Sequence, residues 1–253
     1  LVTLVQLAMH GAPIVRGCER DHPTDSAVHA FLRERAAEAA PSGGFTIVRA
    51  SAAPTLPSQL PPGELMVPGL RDLHFYTHYD GRSLQPVLAL LTAALDKDRA
   101  GAIAGKGYLA QTLPDGVLEH PLFDLLGVRY VLAVENLGHA GTRVGPSLRG
   151  PNGEFFVFER PHPLPRAFTV PALRAFPTDS DVIAGLIDPA LAPRAAALVL
   201  AAEAPSNAAS APADAVPRAV RFVVDLPTTV ELEVAAGNAP WLVLADTFLS
   251  GWT

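Results

Sequence analysis

The chain has little cysteine, little positive charge and no long apolar run. Its single cysteine, Cys18, cannot form a disulfide within the chain or contribute to a cysteine metal cluster. The 19 Lys and Arg residues are outnumbered by 25 Asp and Glu, which gives a formal net charge of -6 and no basic stripe, so we expect no nucleic-acid partner. The most apolar stretches, such as residues 191–204, contain proline or charge and fall short of the about 20 residues that a membrane helix needs.

Proline and glycine, by contrast, are plentiful. The 253 residues include 25 prolines and 20 glycines, spread without a fixed period, and 49% hydrophobic residues provide enough for a buried core. Such a composition favours short strands joined by turns over a helical bundle. We therefore expect a strand-rich α+β fold.

The first part of the sequence alternates between helical and strand patterns. Helices are predicted at residues 24–40 and 84–95, and strands at residues 1–10 and 45–50. Residues 120–133 predict a short apolar helix that breaks at Gly127 into a buried strand. We interpret residues 1–150 as a mixed α/β subdomain.

The second part, residues 151–253, consists of short apolar runs separated by Pro or Gly turns. Strands are predicted at residues 155–159, 166–170, 195–201, 220–226, 229–235 and 241–247. This spacing favours a mostly antiparallel, β-sandwich-like subdomain, with a mobile surface loop at the low-complexity residues 204–215. Because the last strand runs straight into Gly251 and Trp252, we expect the chain to be a piece of a longer protein, truncated within this subdomain.

The densest polar cluster lies between residues 71 and 80. Five of its side chains share one face if the segment is extended, because alternate strand residues point the same way. They are Asp72, His74, Tyr76, His78 and Asp80. Two imidazoles and two carboxylates are possible ligands for zinc or iron, yet neighbours on one strand rarely surround a common centre. We therefore expect no resident metal and no other cofactor, and interpret the cluster as a loop that lines a surface cleft.

Three arginines, Arg71, Arg129 and Arg166, are interpreted as strand-end residues. They either line a cleft or pair with carboxylates such as Asp72 or Asp124 and so fix the loops. We favour the structural role, because arginines at strand ends more often form such pairs.

Four segments, taken in their order along the chain, carry a resemblance to a known family. They are Gly69–Asp72 with Tyr76 or Tyr79-Asp80, then Asp124–Leu132, then Leu164–Phe168, and finally Leu242–Thr247 with Gly251-Trp252. This ordered set resembles the extracytoplasmic region of the YfhO-like bacterial membrane proteins, which are related to polytopic, GT-C-type glycosyltransferases that use lipid-linked sugars. Members of that family usually carry Gly-Tyr-Asp after the first segment and a Tyr before the final Gly-Trp, where this chain has Phe75 to Asp80 and Phe248-Leu249.

The resemblance implies that the chain is the extracytoplasmic domain of a much larger integral membrane protein, whose membrane helices precede Leu1. It also implies that the catalytic acid lies in a loop between those helices, so that this domain is not catalytic alone. Its role would be to bind or orient a cell-envelope glycan acceptor beside the membrane-embedded part of the same protein, which holds the donor. The expected ligand-binding residues are Arg71, Asp72, His74, Tyr76, His78, Asp80 and Trp252.

Three alternatives remain open at this point. The chain is a free-standing module that binds a carbohydrate or another partner, or a metal-dependent hydrolase that uses His74 and His78, or a structural spacer without a site. Glycan affinity of the isolated chain marks the first, and bound zinc, iron or manganese marks the second.

Overall fold

The fold is known from a computed structural model that describes residues 5–6, 26–52, 70–73, 85–94, 112–150, 153–205, 218–226 and 229–245. Within these ranges the chain forms fourteen strands and four α-helices, with parallel and antiparallel pairing in separate sheets. The predicted α+β class is therefore confirmed. In the described part of the chain, no helix has both the length and the apolar character needed to cross a bilayer.

A seven-stranded mixed sheet organises the first part. Its strands are β2 (Thr46–Ser51), β3 (Arg71–Asp72), β4 (Leu113–Pro114), β5 (Val128–Ala133), β6 (Thr142–Arg143), β7 (Leu148–Gly150) and β8 (Gly153–Glu159). The main path runs β3-β2-β5-β8-β6, with β4 paired to β2 and β7 paired to β8. Strand β2 pairs parallel with β3, β4 and β5, whereas β5 pairs antiparallel with β8. All six residues of β2 are buried, as expected for a central parallel strand covered on both faces.

Helices cover both faces of this sheet. Helix α1 (Ala27–Ala39) packs Val28 and Leu32 against one face, in a cluster that includes Ile47 of β2. Helices α2 (Gln85–Ala94) and α3 (Leu122–Leu125) pack against the other face, in a cluster that includes Val48. Because successive strand residues point to opposite faces, neighbouring residues of β2 thus enter two different cores. The two longer helices fall within their predicted ranges, and Gly127, with a φ of 66°, separates α3 from β5 as predicted.

Small sheets make up the second part. Strand β9 (Ala167–Val170) pairs antiparallel with β14 (Trp241–Leu244), and β1 (Val5–Gln6), β13 (Thr229–Val234) and β12 (Val220–Leu226) form an antiparallel sheet in that order. One face of the β9–β14 pair packs Phe168 and Val243 against Leu164. The other face packs Ala167 and Leu244 against Phe222 of β12. This stacking corresponds to the predicted sandwich-like arrangement.

One unit departs from the antiparallel pattern. Strands β10 (Ala172–Phe176) and β11 (Ala196–Leu200) pair in parallel, and helix α4 (Asp179–Leu186) connects them. The side chain of Thr178 caps this helix, accepting a hydrogen bond from the Asp181 backbone N–H at 3.2 Å. The sequence interpretation contained β11 but neither β10 nor α4.

The strand pairing also crosses residue 150, the predicted boundary between subdomains. Strand β8 follows that residue yet pairs with β5 of the first sheet, whereas β1 precedes it yet pairs with β13. Residues 204 and 205 of the predicted mobile loop are described, and the rest of that segment lies outside the described residues.

Candidate functional site

The four segments that carry the family resemblance meet at one small recess, which we call the four-segment recess. Arg71 comes from the first segment, Leu126 and Gly127 from the second, Arg166 from the third and Ala245 from the fourth. Gly44, Phe45 and Thr46 complete the lining. The cavity volume is about 10 Å³, which is about the room that one water molecule needs.

Backbone hydrogen bonds explain why these segments meet. The carbonyl of Asp124 accepts from the N–H groups of both Gly127 and Leu164 at 3.0 Å, which ties the third segment to the second. The N–H of Ala245 donates to the carbonyl of Arg166 at 2.7 Å and continues the pairing of β14 with β9. The recess is therefore a junction between the first sheet and the small sheets.

The guanidinium group of Arg71 crosses this junction, and that of Arg166 contacts β12 within the small sheets beside it. Nη2 of Arg71 donates to the carbonyl oxygen of Ala245 at 3.3 Å, across 174 residues of sequence. Nη1 of Arg166 lies 2.6 Å from Oδ1 of Asp225, and its guanidinium carbon lies 4.8 Å from the centre of the Phe222 ring. These contacts agree with the structural role that we favour for the arginines, although each arginine also lines the recess.

Local electrostatics suit two cations at this place. Helix α1 continues through a short 3-10 turn, Ala40–Ser42, to Gly43 and Gly44, whose N–H groups return to the carbonyls of Ala40 and Ala39. Gly44 lines the recess, as do the two residues directly after α3. The partial negative charge of helix C-terminal ends favours nearby guanidinium groups. The C-terminal end of α1 thus lies at the same recess as the two arginines.

Phe45 connects the recess to the core. Its ring packs edge-on against Tyr130 of β5, with the ring centres 4.8 Å apart, and the ring of Phe31 from α1 approaches the same tyrosine at 5.8 Å. Burial raises the pKa of the Tyr130 phenol, so this side chain stays neutral at physiological pH. The wall of the recess is thus fixed by an aromatic cluster.

The structure corrects the role expected for Asp72. Its carboxylate lies inside the protein and faces Arg49 of β2, with Nη2 to Oδ2 at 2.6 Å and Nη1 to Oδ1 at 3.3 Å. The two side chains are only 2% and 0% exposed. Asp72 is therefore not placed to bind a sugar at the surface, and its ion-pair partner is Arg49 rather than one of the strand-end arginines.

Asp124 follows the same pattern. It forms an ion pair with the buried Arg160, Nη2 to Oδ1 at 2.5 Å, while Nη1 of Arg160 donates to the carbonyl of Leu118. Arg129 pairs instead with Glu159 at 2.8 Å. The two carboxylates expected to hold arginines do so, but with Arg49 and Arg160, which the sequence analysis did not single out. An arginine within an apolar run such as Ile47–Ala50 signals a buried partner, because a buried charge is costly unless it is paired.

The remaining sequence-predicted site residues, His74, Tyr76, His78, Asp80 and Trp252, lie outside the described residues. The structure thus brings Arg71 into the recess, places Asp72 in the core, and leaves the other five as predictions. No group of three or more His, Cys, Asp or Glu side chains in the described ranges is arranged to hold a metal ion. The metal site at His74 and His78 falls outside those ranges and stays a hypothesis.

Comparison of the chain with known proteins identifies no relative. The resemblance to the YfhO-like proteins therefore depends on the four sequence segments and on the place where they meet. No protein-family model, no curated protein and no solved structure matches the chain.

Proposed function

We propose that the chain is the extracytoplasmic domain of a polytopic membrane protein related to lipid-linked-sugar glycosyltransferases. In this proposal the domain lies at the extracytoplasmic face of the cell membrane and helps to bind or orient a cell-envelope glycan acceptor. The membrane-embedded part of the same protein holds the donor and performs the transfer. The observation that carries the proposal is the convergence of the four resembling segments on one recess.

Convergence is informative because each segment alone is weak evidence. A buried strand such as Val128–Ala133 has a sequence that many unrelated folds share. The third and fourth segments meet because β9 pairs with β14, and the hydrogen bond from Arg71 to Ala245 joins the first segment to the fourth. Here the four segments, from Arg71 to Ala245, line the four-segment recess between the first sheet and the small sheets. Their shared location supports the view that they belong to one structural motif.

In this proposal the recess has a positioning role, because it is too small to hold a ligand. At about 10 Å³ it is far too small for a sugar, since ligand pockets usually measure about 300–1,000 Å³. In the sequence, however, the first segment leads directly into His74, Tyr76 and His78, and the fourth leads towards Trp252. Aromatic and polar side chains of this kind suit stacking on sugar rings and hydrogen bonding to hydroxyl groups. The recess would anchor the two segments from which these residues continue.

Described ionisable groups around the recess form ion pairs. Arg166 and Asp225 form one ion pair, and behind the recess Asp72 and Asp124 are held by Arg49 and Arg160. The described residues thus act as a scaffold in the proposal.

The test is sugar transfer by the full-length protein in its own membrane. We expect His74→Ala and Tyr76→Ala each to lower transfer of labelled sugar to the envelope acceptor by about tenfold, the equivalent of about 1.4 kcal/mol of lost interaction. The matched control is His162→Ala, because His162 is exposed and is not among the residues that line the recess. Transfer is normalised to the amount of folded protein, and unchanged transfer by both test variants would overturn the proposal.

A second measurement tests the location. Antibody detection in membrane and soluble fractions of the source cells should find a membrane product far larger than 26.6 kDa. A soluble product near that mass would contradict the proposal. It would instead favour a free-standing binding module if the purified chain binds glycans, or a metal-dependent hydrolase if it contains stoichiometric zinc, iron or manganese.

A further inference from the structure

We draw no further inference here: the strongest candidate, the apolar strand β11, which pairs on one edge with β10 and has no second strand partner among the described residues, carries none because nothing in the described part of the chain shows what covers its other edge.

Discussion

Two regions of the molecule differ in how deeply their residues are buried. One is the central part of the first sheet, and the other is the unit formed by β10, α4 and β11. Every residue of β2 is buried, even Arg49, whereas α4 has no buried residue and all five residues of β11 are half-buried. Both contain strands and a covering helix, so element type does not explain the difference. Helices on both faces bury β2, whereas β10 and β11 pack against α4, which in turn contacts α2 of the first part.

This difference teaches where the stability of the molecule resides. Apolar burial supplies most of the favourable free energy of folding, so the first sheet should contribute most of it. The second part is joined to that sheet and its helices by the Arg71 hydrogen bond to Ala245, by the Phe222 ring beside Gly43, and by apolar contacts of Leu125 and Ile187. Regions with less burial open locally at lower free energy than the core does.

The largest expected effect comes from breaking the buried ion pair. We expect Asp72→Ala to lower the free energy of unfolding by about 3–5 kcal/mol, because it removes the carboxylate that faces a buried guanidinium group. The matched control is Asp225→Ala, which breaks the more exposed pair with Arg166 and should cost no more than about 1 kcal/mol. Equal losses for the two variants in urea denaturation would contradict the contrast between the two regions.

A second experiment uses two neighbouring glycines. Gly43 and Gly44 have φ values of 82° and 76°, so Ala at either position should cost about 1–2 kcal/mol of unfolding free energy through backbone strain. A Cβ at Gly43 would also overlap the buried ring of Phe222, whereas one at Gly44 meets no atom within 4 Å. We therefore expect Gly43→Ala to lose about 1–3 kcal/mol more than Gly44→Ala.

The difference between the glycine variants measures how firmly β12 is packed against the end of α1. Thermal or urea unfolding of both proteins under the same conditions gives it directly. If Gly43→Ala unfolds like Gly44→Ala, the Phe222 ring moves aside easily and the junction is looser than its geometry indicates.

A smaller effect on the free energy of unfolding is expected from removing the hydrogen bond between Arg71 and Ala245. Arg71→Met keeps much of the apolar stem but removes the hydrogen bond to the Ala245 carbonyl, which should cost about 1 kcal/mol. Native-state hydrogen exchange should show lower protection in β14 and unchanged protection in β5. Arg174→Met, at an exposed arginine beside Phe176, serves as the control. Equal loss of protection in β5 would mean that the two regions unfold as one.

The smallest effect concerns pH. A hydrogen bond from the exposed His139 ring to Glu119 raises the pKa of that histidine. A raised folded-state pKa stabilises the fold below the ordinary value for histidine, near 6.5, and this contribution disappears as the pH rises through the raised value. The melting temperature should thus fall slightly more between pH 5.5 and pH 8.5 in the natural protein than in His139→Gln. An identical fall in both would show that the pair contributes nothing.

Much of the fold can be predicted from residue patterns because its elements are long or strongly periodic. Helix α1, helix α2 and the break at Gly127 between α3 and β5 lie where apolar spacing and glycine put them. Strand β10 was missed because Ala172–Phe176 shows neither clear alternation nor β-branched residues. Helix α4 was missed because it is short, although Thr178 followed by Asp181 is a recognisable capping signal.

The candidate site was predictable only in its parts. Arg71 and Arg166 could be singled out as strand-end arginines, but their meeting at one recess depends on strand pairing between distant segments. Pairing of that kind is set by the packing of whole sheets rather than by local sequence. For the same reason the partner of Asp72 was misassigned, since Arg49 reaches it from a neighbouring parallel strand.

The pairing of β9 with β14 also sets an order of events during synthesis. The first sheet has all its strands once Glu159 has been made, whereas β9 must wait for Trp241 before it finds its partner. At translation rates of about 5–20 residues per second, that delay is roughly 4–16 s. During this interval β9 is present without its partner β14. The first sheet, which is already complete, is then the surface against which the second part assembles.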